Sequence, residues 1–568
     1  MASPRPCVGT GGRGAPGINK MQNKIQNWIK EILKIKGDIV LMHPKEIKNG
    51  DYAFVSSPEN IEAHFEKLKK NKLEEIEKIE AVGRFINFYL SPKFFTDSVK
   101  EIVEKGEDFG GNDSLAGQKV MIEFTDANPF KEFHIGHIMS NTIGESVARV
   151  VESQGAEIKR ANWQGDVGLH VATAVWGILD LGLDVDNATP NDLGSAYAHG
   201  SKRAKENEAT KKEIGEINKH IFNRDDEKIN YVYDTGRKIS LDYFEIIYKR
   251  LGTKFDYYFF ESKEGVEGKP VVEEFLKKGI FEKSDGAVIF PGEKYGLHTR
   301  VFLNSNNMPT YEAKELGLNK KKFEVEPELS KSIIVTGNEI KEYFKVLLKV
   351  ISLIFPNIAE KTVHIPHGML KLPSGKMSSR TGSVITGEFL IEQIREKVLE
   401  KIKEREFSAE EKDKIAEVVA IGAIKYSILH QSIGGDIIFD FEKSISFEGD
   451  SGPYLQYSYA RANSVIEKAK KENILPDFVD LPAETFEVEK LLYRFPEIVS
   501  RAASEYEPHF IANYLIELAR SFNSFYGNTI IVDPKDKTSA YKVALTFAFS
   551  FVMKKGLHLL GIVAPEKM

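Results

Sequence analysis

The run His134-Ile135-Gly136-His137 puts two imidazoles three residues apart. It follows a β-prone stretch, Val120 to Thr125, after a short turn through Asn128-Pro129, and it opens a helix predicted from about Gly136 to Glu152. A helix start leaves amide donors free and carries partial positive charge, so it attracts phosphate. Imidazoles there add directional donors for triphosphate oxygens, and Gly136 lets a flat base or a ribose approach the backbone. Four common residues can also meet at a helix start by chance. A second cluster runs from Lys371 to Gly382 and holds Lys376, Met377, Ser378 and Arg380 in a polar loop bounded by glycine. Its cations can close over a triphosphate and stabilise the charge that grows on leaving pyrophosphate. Taken alone, such a cluster reads as a solvated basic loop.

Both clusters need a scaffold. Strand, turn and helix, followed by a second strand over Ile158 to Asn162, make the β–turn–α–β unit that opens a doubly wound nucleotide-binding fold. Residues 113–390 are therefore expected to form a Rossmann-type catalytic domain. A polar, helical stretch at 190–235 marks an expected insertion near 175–285. Val288 to Phe290, Val301 to Leu303, Ser332 to Val335 and Val363 to Ile365 read as further strands. Residues 21–112 read as a small α+β domain. It has a helix from Met21 to about Leu33 and strands at Asp51 to Phe54 and Gly83 to Leu90. Between those strands lies a lysine-rich helix including Lys67, Lys69, Lys70 and Lys72. From 391 to 568 the chain reads as a helical bundle. There, Ser408 to Glu411 forms a capping box ahead of a long apolar-periodic helix.

Composition bounds the class. The chain has 568 residues, 42% of them hydrophobic, and 78 basic against 84 acidic side chains. That balance neither supports nor excludes an RNA partner, because local basic patches suffice for one. Cys7 is the only cysteine, so neither an intrachain disulfide nor a site with two cysteine ligands can form. No apolar run is long enough to span a bilayer, and a cytoplasmic location is expected. Residues 1–20 are rich in Gly, Pro and Arg and lack an apolar signal core. They are expected to be a disordered extension, with Met21 as the functional start.

The ordered pair of HIGH and a later KMSKS-like loop resembles the two signatures of class I aminoacyl-tRNA synthetases. Further segments narrow the resemblance. Glu123 to His137, with Glu123, Asn128 and Lys131 ahead of HIGH, is similar to the arginyl-tRNA synthetase version. So are Arg160 to Gly168, Pro309 to Glu315, Gly452 to Arg461 and Gly556 to Met568. From about Met21 to Met568 the sequence resembles that family.

The resemblance implies an arginine–tRNA ligase that uses ATP with Mg²⁺ as co-substrate. No protein-bound zinc or redox cofactor is implied. The partners are arginine, ATP and tRNA(Arg), no membrane is involved, the chain acts as a monomer, and activation depends on tRNA. A guanidinium is planar and permanently charged, and it is best held by carboxylates with a carboxamide or phenol. Glu123, Asn128, Tyr311 and Glu315 supply those groups. The family pattern has Asp where this chain has Glu315. Ser379 stands where KMSKS has its second lysine, a loss for which Lys131 is expected to compensate. Lys131, His134, Gly136, His137, Lys376, Met377, Ser378 and Arg380 are the implied ATP-handling residues. Phe85 and Asn87 would touch the tRNA elbow, where an aromatic and an amide can stack on and read an unpaired base. Tyr454, Tyr457 and Arg461 would lie on the anticodon side. Three rivals are weighed. Several other class I synthetases need cysteine-ligated zinc, which this chain cannot build. A catalytically dead tRNA-binding paralogue would have no need of intact signatures. A metabolite nucleotidyltransferase would have no need of the helical third.

Overall fold

Lys119–Glu123 is the middle strand of a five-stranded sheet whose pairings are all parallel. Its Val-Met-Ile centre is buried on both faces, as parallel strands covered by helices require. Glu157–Gln164 and then Tyr257–Phe260 lie on one side of it, and Leu329–Gly337 and then Thr362–His367 lie on the other. The chain thus builds outward in one direction from the middle strand, returns, and builds outward in the other. Ligands of such sheets bind in the crevice at the carboxyl ends of the strands where that reversal occurs. Here the crevice lies between Glu123 and Gly337.

The computed structural model describes residues 20–371 and 385–568. The N-terminal segment 1–19 and the loop residues Lys376, Met377, Ser378 and Arg380 lie outside the described residues.

The predicted helix after the HIGH turn is Ile135–Glu152, nearly all buried beneath the sheet and the C-terminal helices. The stretch 175–285 holds the helices Pro190–Glu206, Glu208–Asn223 and Glu227–Leu251. It also holds Tyr257–Phe260, which is the edge strand of the parallel sheet itself and pairs with Ala161–Gln164. The helical insertion therefore ends before that strand, not near 285. Glu282–Ser284, Ala287–Phe290 and Arg300–Leu303 form a small antiparallel sheet around Phe281, Phe290 and Phe302.

The N-terminal unit is a four-stranded antiparallel sheet made by Leu41–Met42, Tyr52–Val55, Phe85–Leu90 and Ile76–Val82, in that spatial order. The lysine-rich helix is Ile61–Lys70, so Lys72 lies beyond its end. Ile76–Val82 is an edge strand that the sequence reading did not foresee. Its exposed Lys78 and Val82 belong to a face turned away from the domain core, and exposed Glu77 sits where the register shifts.

The last third is helical, and the capping box before Ala409–Leu429 forms as expected. Ser408 Oγ accepts from Glu411 N, and Glu411 Oε2 accepts from Ser408 N. This third is fastened to the HIGH helix. Ser146 Oγ donates to Leu559 O at 2.9 Å, and Arg149 donates to His558 O at 3.0 Å and to Gly252 O at 2.9 Å. Fully buried Lys425 donates to Leu251 O at 2.6 Å and to Gly561 O at 2.8 Å. Burial brings its ammonium down to about 7. Among the described residues no helix is long and apolar enough to cross a membrane.

Candidate active site

The HIGH turn is a reciprocal cap. His134 is the N-cap residue, and its Nδ1 accepts from Gly136 N at 3.1 Å. His137, one turn into the helix, turns its Nδ1 back to accept from His134 N at 3.2 Å. The two rings stack with centroids 3.7 Å apart. Gly136 is required because a Cβ there would lie 2.9 Å from His134 Cε1. Burial, then the Lys131 charge, lowers the pKa of His134. Burial, then the His134 and Lys131 charges, puts His137 well below the usual histidine range. Both rings are therefore neutral near pH 7. With each Nδ1 occupied as an acceptor, the proton sits on Nε2, which makes Nε2–H the outward donor of each ring. Lys131 sits over the Tyr197 ring at 5.2 Å, so a helix of the insertion holds it beside the imidazoles.

The loop that carries Lys376 and Arg380 leaves from two anchored stems. Leu370–Lys371 pairs with Ile437–Ile438 of the helical third. On the other side, Ile385 O accepts from Ile135 N at 3.2 Å and Gly387 N donates to Phe133 O at 2.6 Å. His134 and Thr386 form a β-bridge. The second stem thus lies directly on the HIGH turn.

Next to this donor-rich end lies a group of carboxylates. Glu123 closes the middle strand and Glu315 lies on the helix Tyr311–Val325; each is 1% exposed. Asp126 follows Glu123 and accepts from Trp163 N at 3.0 Å. Glu261 follows the edge strand, and its Oε2 accepts from Lys314 Nζ at 2.5 Å. Lys322 Nζ, fully buried, lies 2.6 Å from Glu123 Oε2. Glu315 Oε2 has no hydrogen-bond partner among the described residues. Burial and then the neighbouring Glu123 hold the carboxyls of both Glu315 and Asp126 well above the usual carboxylate range. Tyr311, 39% exposed, stands at the mouth of the group with its ring 5.1 Å from that of Tyr343. Asn128 is half-buried, and Gly165 makes room for it, since a Cβ there would fall 2.3 Å from Asn128 Oδ1. Asp166 accepts from Arg237 Nε at 2.8 Å and from Ser262 N and Oγ, tying the strand ends together.

The crevice therefore has a donor end and a carboxylate end. It brings together Glu123, Asn128, Lys131, His134, Gly136, His137, Tyr311 and Glu315. The sequence reading missed Asp126, Glu261, Lys314 and Lys322. Lys322 had a signal, because it stands eleven residues after Tyr311 and seven after Glu315, which is whole turns of the same helix.

A model of the class I tRNA synthetase catalytic domain of the R type matches residues 98–441, and a DALR anticodon-binding domain matches residues 455–568. An arginine–tRNA ligase of Halothermothrix orenii is 32% identical over 92% of this chain and 95% of its own length. The chain belongs to the arginine–tRNA ligase family. A second family member, from Lactococcus lactis subsp. cremoris, is 32% identical over 93% of this chain and 95% of its own length. The solved arginyl-tRNA synthetase of Thermus thermophilus shares the fold, with a TM-score of 0.78 at 22% identity over 96% of this chain and 100% of that one. As in other class I synthetases, ATP is the nucleotide substrate. Among the described residues no group of three or more His, Cys, Asp or Glu could hold a metal ion.

The remaining candidates lie away from the crevice. Phe85 is half-buried with the Arg84 guanidinium 5.7 Å from its ring centroid, while Asn87 is buried. Both alternate with Ile86 and Phe88, which face the domain core. Arg461 lies between the rings of Tyr457 and Tyr526, at 4.8 and 5.0 Å, and donates to Asn523 Oδ1. Asn523 in turn donates to Tyr454 Oη at 3.0 Å.

Proposed function

We propose that this crevice makes arginyl-adenylate from arginine and Mg²⁺–ATP, then passes the arginyl group to the 3′-adenosine of tRNA(Arg). The observation that carries the reading is the buried Glu315 carboxylate, whose Oε2 accepts no hydrogen bond among the described residues and which lies below Tyr311 beside the imidazole donors of the HIGH turn. A guanidinium supplies the missing counter-charge in planar, many-donor form, which an ammonium cannot do.

In the first step an arginine carboxylate oxygen attacks the α-phosphorus in line, and pyrophosphate leaves with its Mg²⁺. The His134 and His137 Nε2–H groups, Lys131, and the loop residues Lys376, Ser378 and Arg380 stabilise the growing charge, while Met377 offers an apolar surface to the nucleotide. Lys131 takes the part that a lysine at Ser379 would play. Glu315 and Tyr311 receive the guanidinium, and Glu123 with Asn128 takes the α-amino group. In the second step a ribose hydroxyl of the tRNA attacks the adenylate carbonyl and AMP leaves. Positioning and electrostatics supply the rate, with no covalent enzyme intermediate.

In the N-terminal domain, residues 21–112, half-buried Phe85 contacts the tRNA elbow, and buried Asn87 joins it only if the residues that cover it move. Tyr454, Tyr457 and Arg461 contact its anticodon side. Activation waits for tRNA. The loop stems join the HIGH turn to the helical third, so an RNA seated on that third can act on both stems. The chain acts as a monomer in the cytoplasm.

ATP–pyrophosphate exchange, run with each amino acid in turn and with and without tRNA(Arg), tests this reading. Exchange should appear with arginine and tRNA together, and lysine should be a poor substrate. Exchange driven best by another amino acid would overturn the pocket assignment. Strong arginine exchange without tRNA would overturn only the coupling.

A further inference from the structure

The C-terminal part of the helix Tyr311–Val325 carries the run Lys320-Lys321-Lys322. Lys320 and Lys321 pair with Glu324 and Glu267 near the surface. Lys322 alone turns inward and is fully buried. It shares its face with Tyr311, Glu315 and Leu318, and Leu318 docks that face on the sheet beside Met121 and Trp163. An apolar side chain would fill this volume without desolvating a charge. The ammonium at this place therefore calls for an explanation beyond packing.

Charge balance supplies one. Four carboxyl groups meet here from separate elements: Glu123 from the middle strand, Asp126 from the turn, Glu261 from the edge strand and Glu315 from the helix. Two ammoniums face them. Lys314 is taken by Glu261 and Lys322 by Glu123. Neither Glu315 nor Asp126 makes an ion pair of its own among the described residues, although the Lys322 charge reaches both, and the phenols of Tyr311 and Tyr343 close the group from the mouth side.

We infer that Lys322 is a positioning residue for the amino-acid substrate. By neutralising Glu123 it leaves Glu315 as the carboxylate that captures the guanidinium, and so fixes which way arginine lies. This rests on the reading that the crevice binds arginine. Without Lys322, Glu123 competes for the guanidinium and draws the substrate off line. The cluster also takes up a proton in place of the lost cation, so arginine capture then needs a higher pH. An opposite charge this close moves a carboxyl by about one unit or more, so the displacement is measurable.

The test compares wild type with Lys322→Met, Lys322→Arg, Glu123→Gln and the double variant Glu123→Gln/Lys322→Met, in tRNA aminoacylation over a pH series. Lys322→Met should lower kcat/KM for arginine about tenfold or more at neutral pH, on the scale of a broken charge pair. KM for ATP should stay near wild type. The acid limb of the arginine profile should move up by about one pH unit. Lys322→Arg should restore the limb. The double variant should be less impaired than the two single effects multiplied together, because it strands no charge. If Lys322→Met does not fold, Lys322→Gln takes its place in the series and in the double variant. An unmoved acid limb with arginine and ATP affected alike, or strictly multiplicative effects in the double variant, overturns the inference. Failure of the pocket reading looks different, because the wild-type enzyme would then show no preference for arginine.

Discussion

The two ends of the crevice are built from one short stretch of chain, and they solve opposite problems. Residues 131–137 must receive negative charge. They do so with the outward Nε2–H donors of two neutral imidazoles and a lysine held on an aromatic ring, while the turn's own amides are already taken by His134, His137 and Ile385. Residues 123 and 126, with partners from the helix Tyr311–Val325, must receive positive charge. They do so with buried carboxylates of which only some are neutralised. The donor end can wait for its ligand at little cost because its imidazoles are neutral dipoles and its one charge, Lys131, rests on an aromatic face. The carboxylate end waits under electrostatic stress that the ligand relieves. Two sites a few residues apart should therefore respond differently to mutation, pH and temperature.

Removing donors should have the largest effect. Lys131→Ala or His137→Ala should lower kcat by about 10²–10³-fold, the range for one preorganised donor to a growing charge. Circular dichroism should stay native-like, and wild-type turnover in both variants would sink the assignment. Next in size is the carboxylate end. Glu315→Gln should raise KM for arginine on the order of 10²-fold, corresponding to about 2–5 kcal/mol for one side of a buried charge contact, with KM for ATP unmoved. Glu123→Gln should also weaken arginine more than ATP. Thermal unfolding without ligand separates the two. Glu123→Gln strands Lys322 and should cost about 3–5 kcal/mol, whereas Glu315→Gln removes an uncompensated carboxylate and should raise Tm at pH 8. Equal shifts of the same sign would erase the distinction between paired and unpaired carboxylates.

A smaller effect separates the ends by pH. A raised carboxyl pKa means that the group binds its proton more tightly in the folded state. The fold is then favoured as pH falls through that raised value, while capture of a cation is lost over the same window. Arginine kcat/KM should therefore decline on acidification well before an ordinary carboxylate, near pH 4, would titrate. The histidines are neutral on account of lowered values, so KM for ATP should be flat between about pH 6 and 8, where a free histidine would change charge. Parallel profiles for both substrates would contradict the polarity of the crevice. The smallest effect concerns Tyr197. Tyr197→Leu removes a cation–π contact worth about 0.5–1 kcal/mol and should raise KM for ATP by roughly two- to fivefold, with arginine unaffected. Tyr197→Phe should retain the wild-type value.

The donor end was legible in the sequence because a single local turn makes it. Strand, turn, capping histidine and glycine follow one another, and each acts on its near neighbours. The carboxylate end was half legible. Glu123, Asn128, Tyr311 and Glu315 could be named, but their balance depends on cations brought by tertiary packing. Lys322 was hidden in a triplet that reads as solvated surface, and only the helical phase set by Tyr311 and Glu315 singles it out. Tyr257–Phe260 was absorbed into a helical insertion because four aromatic residues between charged helices carry no alternation. Ile76–Val82 escaped for the opposite reason. Its Glu77, Lys78 and Glu80 look like a surface helix, whereas charge on an edge strand guards against wrong pairing. Of the loop residues Lys376 to Arg380 the sequence gives the chemistry, and the described stems give the anchorage.

The fastening of the helical third to the HIGH helix sets an order of synthesis. Ser146 and Arg149 close their hydrogen bonds on Leu559 and His558, and Ser146 meets its acceptor 413 positions further along the chain. A ribosome makes the catalytic helix early and delivers its lock late, while Lys425 waits for the Gly561 carbonyl. Through most of translation the nascent enzyme thus carries its signature residues on a helix whose outer side is still bare, and assembly of the last turns finishes the first catalytic element.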